Sequence, residues 1–460
     1  MAATAETIVT ATCEEVDTPV TEKDDPIQLC MFMEPMTAAE SIKRTARYAK
    51  NPAAYLQNIL GDQTFQDRKS MLSLADEVNR DFYGTGTYRQ HFEQHIARLM
   101  GKKHGLFFLT GVQAQLAAIK IHCDVRGRQR AAWHISSHLQ EAEERAYEEL
   151  YRLDRILLGS DPETLPKVEE ITAVLHLSEN ERPSAILLEL PNRVLGCKTY
   201  TYADLEQISL ACRQANVALH MDGARLWEIE PYYQRTAGKT FSDLAALFDT
   251  VYVSFYKGLG GATGAMLVSN DQSLMNEAKV WQRRAGGNAF SLGYEVIDCE
   301  RGYNQTIGEF QGRWEKMSEI VEGIKAATAE YKASDGRPIV GFIAEEPRCC
   351  QVLTVFHGFS ADALVAARDA VEKKTNVRVF ERLRPKQSLD EKMKAEREAA
   401  VGGGEVAGSK GEGAAAVPEG REGGKEHFME WMIMAVTQKI ETRVFIEAYV
   451  ALCEELLRET

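Results

Sequence analysis

The chain has 460 residues, 44% hydrophobic and 27% charged, with a net charge of −14. That is an ordinary globular balance, and its acidity argues against nucleic acid or an anionic membrane surface as the main partner. No apolar run approaches the roughly 18 residues that a membrane-crossing helix needs.

Residues 1–37 are polar and acid-containing, lack periodicity, and predict a disordered or loosely ordered arm. With Glu6, Glu14, Glu15 and Asp17 early and no basic or apolar leader, the start does not read as a targeting signal. The nine cysteines are odd in number and scattered. They show no metal-ligand spacing, so a reducing, cytoplasmic home and no metal site are expected.

Residues 38–60 predict amphipathic helices interrupted at Pro52. The stretch 81–87, D-F-Y-G-T-G-T, sets Tyr83 and Gly84 at a turn before a helix over 91–100. Residues 105–109, G-L-F-F-L, predict the first buried strand, and Thr110, Gly111 and Val112 then open a helix that runs to about 122. A strand, a glycine turn and a helix N-terminus make an anion site, because free N–H groups and the helix dipole point at the bound group.

A short strand over 131–135 ends in Ser136, Ser137 and His138, and a charged helix is expected over 141–150. Strands follow at 155–158 and 184–190, the second closing in L-L-E-L-P-N-R with Glu189. An amphipathic helix over 202–214 leads to the strand 217–222, V-A-L-H-M-D, which runs into Gly223, Ala224 and Arg225. The stretch 249–264 contains the apolar run 250–255, then Lys257, then glycines at 258, 260, 261 and 264.

Strand and helix alternation of this kind predicts parallel βαβ units. Ligands of such sheets sit beyond the carboxyl ends of the strands, so Asp222 and Lys257 are expected on one rim. A lysine ammonium there is costly to bury. Condensation with an aldehyde removes the charge, and pyridoxal 5′-phosphate (PLP) carries an aldehyde. A carboxylate on the same rim holds a pyridinium protonated, and a neighbouring arginine can fork onto a substrate carboxylate. The glycines do not form a phosphate P-loop, since Lys257 precedes them.

A strand over 263–269 and a helix over 271–281 are followed by Arg283, Arg284 and a glycine pair. A long helical pattern spans 294–333. Strand-like runs then occur at 338–343, 351–356 and 377–380, with a helix at 361–373. Residues 386–426 are glycine-rich toward their end and predict a disordered insertion. The fold resumes at 428–437 and closes with a helix near 440–457.

D-G-A-R at 222–225 followed by S-F-Y-K-G-L-G at 254–260 resembles the threonine aldolase and aromatic amino acid beta-eliminating lyase family, fold-type I PLP-dependent enzymes. Within it the chain is most similar to the uncharacterised threonine-aldolase-like lyases, well over roughly 70–300 and weakly beyond. The resemblance implies an α/β fold with a mostly parallel central sheet in a large PLP-binding domain, 38–300. A small C-terminal α/β domain, 301–460, would carry the insertion. It also implies a homodimer or homotetramer with sites near an interface.

Carried onto this sequence, the resemblance makes Lys257 the PLP lysine and Asp222 the pyridinium partner. His138 stacks on the ring and is a candidate to pass protons, with His134 as a competitor for that place. Thr110, Gly111 and Val112 stand where the family grips the phosphate with Ser-Gly-Thr, so one hydroxyl is lost at Val112. Arg284 partly substitutes for an arginine missing where Ala289, Phe290 and Ser291 stand. Arg225 takes the substrate carboxylate, and Tyr83, with Gly84 and Glu93, contributes across a subunit boundary. Leu190 replaces an asparagine, with Asn192 two positions on. Met434 replaces a second carboxylate-binding arginine, and a Ser-Asp-Thr element is missing near the start. The implied reaction is aldol-type Cα–Cβ cleavage of a β-hydroxy amino acid to glycine and an aldehyde. A racemase, β-eliminase or aminotransferase on the same scaffold, or a non-catalytic PLP-fold binding protein, are the alternatives. A dinucleotide enzyme ranks last for want of a G-x-G-x-x-G after a first strand.

Overall fold

The computed structural model describes residues 25–31, 36–385 and 426–458. The expectations for the rest of the arm and for the insertion at 386–425 lie outside the described residues. In sequence the strands are β1 (Ile27–Cys30), β2 (His104–Phe108), β3 (Arg130–His134), β4 (Asp154–Leu158), β5 (Ala185–Glu189), β6 (Ala218–Gly223) and β7 (Thr250–Ser254). They continue with β8 (Ala265–Ser269), β9 (Val340–Ile343), β10 (Gln351–His357), β11 (Val377–Phe380), β12 (Arg384–Pro385) and β13 (Glu426–Met432).

Seven of them form the central sheet in the order β2-β8-β7-β6-β5-β3-β4. Strand β8 runs antiparallel to β2 and β7, and the pairs from β7 through to β4 are parallel. Every residue of β5, β6, β7 and β8 is buried. Helices cover both faces of such a sheet, which is why these strands read as unbroken apolar runs instead of alternating ones. Each fully buried Val, Leu or Ile here is worth about 1.5–3 kcal/mol of hydrophobic stabilisation.

A second, antiparallel sheet has the order β12-β13-β10-β9. Its strand β13 pairs with β10 over seven registered residues, Gln351 opposite Met432 through His357 opposite Glu426. Its last residue, Met432, precedes a bend in which Thr437 Oγ1 accepts the Met434 N–H at 2.8 Å. The strand expected over 428–437 therefore stops early, and Met434 lies in the apolar core.

Three further differences follow, the first two with a physical cause. Residues 27–30, expected in the arm, form a strand parallel to β11, with Ile27 opposite Val377 and Cys30 opposite Phe380. Four residues are too few for a period to show, and the partner lies some 350 positions away. The charged helix expected over 141–150 is two single turns, His138–Glu141 and Ala146–Glu149. Glu144 and Arg145 between them take left-handed backbone, φ 48° and 57°, which turns Tyr147 inward against Trp133 at 5.0 Å between ring centres. The long helix expected over 294–333 is broken into Gly293–Thr306 and Phe310–Thr328.

Candidate active site

The site is assembled at the carboxyl ends of β5, β6 and β7. The parallel register sets Glu189 beside Asp222, and Asp222 beside Tyr252. Lys257 follows three residues beyond the end of β7. Asp222 is 1% exposed and Lys257 9%. The two side chains line one small void, of about 10 Å³, together with His138, Gln115, Glu189, Tyr252 and Tyr256. Four residues of that void, His138, Arg225, Tyr256 and Lys257, also line an adjoining chamber of about 490 Å³. The chamber has the size of a small-molecule site. Its far wall comes from β13 (Met429, Glu430), from Phe380, Glu381, Arg382 and Arg384, and from Cys30 and Met31 at the end of β1.

Electrostatics in this corner is unusual. Burial, reinforced by Arg225, brings the Lys257 ammonium down to about pKa 8, against the pull of Asp222 and Glu189. Burial and the Asp222 carboxylate push the Glu189 carboxyl up. Glu189 Oε1 accepts the Arg193 N–H at 3.0 Å, while its Oε2 is buried without a partner. Gln115 Oε1, on the same void, is also buried and unpartnered. His138 Nδ1 lies 2.5 Å from Glu143 Oε1. His134 instead contacts Ser136 Oγ at 2.7 Å and faces a separate small void. Only His138 of the two histidines lines the Lys257 void.

The helix Gly111–Arg126 begins at the same corner. Thr110 caps it, its hydroxyl accepting the Gln113 N–H at 3.3 Å. The first-turn N–H groups of a helix have no partner within it. Gly111 is obligatory for a steric reason: a Cβ there would lie 2.0 Å from the Tyr252 hydroxyl.

A family profile described as Beta-eliminating lyase matches residues 61–346. The chain belongs to the beta-eliminating lyase family. Membership implies a lyase dependent on pyridoxal phosphate. The low specificity L-threonine aldolase of Escherichia coli O157:H7 is 25% identical over 292 residues, 63% of this chain and 85% of that protein. The alanine racemase TOXG of Cochliobolus carbonum is 28% identical over 219 residues, 47% of this chain and 53% of that protein. Across such curated relatives the shared stretch spans 53% to 85% of the relative's own length. A solved Listeria monocytogenes structure, of a proposed L-allo-threonine aldolase, has 27% identity and a TM-score of 0.71, covering 94% of this chain and 97% of its own. Serine palmitoyltransferase from Sphingomonas wittichii, at 12% identity and TM-score 0.56 over 94% of this chain and 88% of its own, shares the fold.

The residues present suit the family's cofactor. A lysine that is easily neutralised and a carboxylate meet across one void, unpartnered polar atoms face it, and a helix N-terminus with a sterically required glycine stands beside it. Two residues named from sequence lie elsewhere. Arg284 is exposed at the end of the helix Gln272–Arg284, stacked on Trp281 at 5.0 Å, and lines neither the void nor the chamber. Long side chains at helix C-termini settle on a neighbouring ring or carbonyl, and sequence cannot show which way they turn. Tyr83 is 56% exposed, with φ 50°, and packs on Phe290 at 5.4 Å, away from this chain's own chamber. Arg225 does line the chamber, but is only 3% exposed and already engaged. Its Nε donates to Gln351 Oε1 at 2.6 Å and its Nη2 to Glu430 Oε1 at 2.9 Å.

Glu430 and Arg193 escaped the sequence reading. Arg193 Nη1 donates to Glu430 Oε2 at 3.1 Å, and Gln351 Nε2 to Oε1 at 2.5 Å. Burial opposes ionisation of Glu430, yet Arg225 and Arg193 outweigh it and hold the carboxyl below its usual range. Arg193 stood in the quoted L-P-N-R run. Glu430 carried no local signal, because its partners are more than 200 positions away apart from Gln351, 79 positions off.

Proposed function

We propose that the protein cleaves the Cα–Cβ bond of a β-hydroxy amino acid, giving glycine and an aldehyde. The observation that carries this reading is the meeting of Asp222, Lys257 and His138 on one void that opens into a ligand-sized chamber. Pyridoxal phosphate, when bound, supplies an electron sink for the charge left on Cα as a bond to it breaks. Lys257, with its lowered pKa, offers a larger neutral fraction near pH 7 than an ordinary lysine, and would be the residue that holds the cofactor's aldehyde. Asp222 keeps a pyridinium nitrogen protonated. The Thr110 and Gly111 end of the helix, with Val112, receives the phosphate through its backbone. Arg225 and Arg193 share one carboxylate, Glu430, which leaves one positive charge for the substrate carboxylate.

His138 lines the void and would carry the proton. Glu143, 2.5 Å from Nδ1, would hold the ring while Nε2 takes the β-hydroxyl proton as the aldehyde leaves and delivers it to Cα, which completes glycine. The test is incubation of the PLP-loaded protein with a panel of β-hydroxy amino acids, followed by product identification. Stoichiometric glycine and aldehyde are expected; substrate turnover without glycine would sink the reading. The 28% likeness to an alanine racemase favours a second one, inversion at Cα with the carbon skeleton intact. Loss of optical activity from L-alanine, with no glycine formed from any hydroxy amino acid, would select it.

A further inference from the structure

Glu228 and Arg313 are buried charged residues that line neither cavity; they are 0% and 3% exposed. They come from different helices, Leu226–Ala237 and Phe310–Thr328. Their side chains converge on the backbone of one residue, Gly258, next to Lys257, one at the peptide before it and one at the peptide after it. Glu228 Oε1 accepts the Gly258 N–H at 2.9 Å, and Arg313 Nη1 donates to the Gly258 carbonyl at 3.2 Å. The approach requires glycine, since a Cβ there would lie 2.5 Å from Glu228 Oε1 and 2.8 Å from Phe310. Glu228 Oε2 and Arg313 Nε are buried without partners, so each residue leaves a polar atom unsatisfied while it holds this backbone. Polar atoms buried without a partner are costly.

The remainder of the loop is tied in the same manner. Trp227 Nε1 donates to the Ser254 carbonyl at 2.7 Å, Arg301 Nη2 to that of Gly260 at 2.9 Å, and Asp298 Oδ2 accepts the Ala262 N–H at 2.8 Å. Gly258 is the one of these positions where donor and acceptor are both held by charged side chains, and it adjoins the lysine.

We propose that Glu228 and Arg313 are positioning residues: by holding the N–H and the carbonyl of Gly258, which lie in the two peptides that flank its Cα, they fix the backbone from which Lys257 reaches the void. The inference rests on the reading of Lys257 as the cofactor lysine. A side chain on four rotatable carbons is aimed only as well as its backbone is held, and a misplacement of about 1 Å costs on the order of 10²-fold in rate.

The experiment compares the full-length protein with Glu228→Ala, Glu228→Gln and Arg313→Ala, each stripped of cofactor and then given PLP. Covalent capture is followed by absorbance, and turnover is measured on the reloaded protein. Glu228→Ala is expected to slow capture about tenfold or more and to lower kcat with KM within about twofold. Glu228→Gln keeps an oxygen for the Gly258 N–H and is expected to stay within about threefold of the parent in both. Arg313→Ala, which removes the other jaw, should repeat the alanine result if Glu228→Ala fails to fold. Parental capture by the alanine variants, or a Gln variant as impaired as the Ala variant, overturns the clamp. If the parent itself captures no PLP, the reading of Lys257 fails instead, so the two failures are distinct.

Discussion

Two buried carboxylates show how differently one fold treats the same group. Glu300, 0% exposed, projects from the helix Gly293–Thr306 toward Tyr48, Ser73 and Tyr88. Its Oε1 accepts from Ser73 Oγ at 2.8 Å, and its Oε2 from Tyr48 Oη at 2.8 Å and from Tyr88 Oη. Glu189, at the rim of the central sheet, has one oxygen held by a backbone N–H and the other with nothing, beside a second carboxylate and a lysine. A complete set of partners makes Glu300 a stitch between helices. An incomplete set at a cavity wall marks the place where a ligand is expected to finish the bonding.

If that contrast holds, the rim should respond in chemistry and Glu300 in stability. Lys257→Ala should abolish the borohydride-reducible PLP adduct and cut turnover on the order of 10³-fold or more; a variant that still traps the cofactor at full yield would place the lysine elsewhere. Asp222→Asn should retain PLP and lose about 10²-fold or more in turnover, and unchanged kinetics would remove Asp222 from the mechanism.

Glu300→Gln should leave turnover intact and change the pH dependence of folding. Burial raises the Glu300 carboxyl to about 7 from an ordinary 4.5. The folded state therefore holds that proton more tightly than the unfolded chain. The stabilisation is full below the ordinary value and lost as pH rises through about 7. Urea unfolding should show the parent losing up to about 3 kcal/mol against the Gln variant between pH 4 and 8. A constant difference across that range would mean Glu300 titrates normally.

Two smaller effects bear on the rim. Because Lys257 is brought down to about 8, covalent capture of PLP by the stripped protein should accelerate as pH passes through about 8 and then level off. A rise that begins only near pH 10 would show an unperturbed amine. Arg284→Ala should change PLP affinity by less than about twofold, since its guanidinium rests on Trp281; a tenfold loss in an equilibrium titration would bring it back into the site.

The central sheet was legible because strands buried on both faces write themselves as unbroken apolar runs, and 185–189, 218–223 and 250–254 appear within a residue or two of expectation. The places of Asp222, Lys257 and His138 on one void were legible because each stands at or just past a strand end, where the topology fixes position. What failed to show depends on partners distant in sequence. Arg225 was read as free to fork onto substrate, but β13 delivers Glu430 to it from 205 positions away. The clamp on Gly258 needs Arg313, which reads locally as one more polar residue of an amphipathic helix. The short strand β1 has no period to detect.

That strand has a practical consequence. Leu29 is fully buried, and Cys30 and Met31 form part of the chamber wall. Trimming the protein to the first helix at Ala38 looks harmless in a gel lane, and would remove one side of the very compartment an assay is meant to probe. A shortened preparation that folds well and turns over poorly should be suspected of a missing wall before its lysine is blamed.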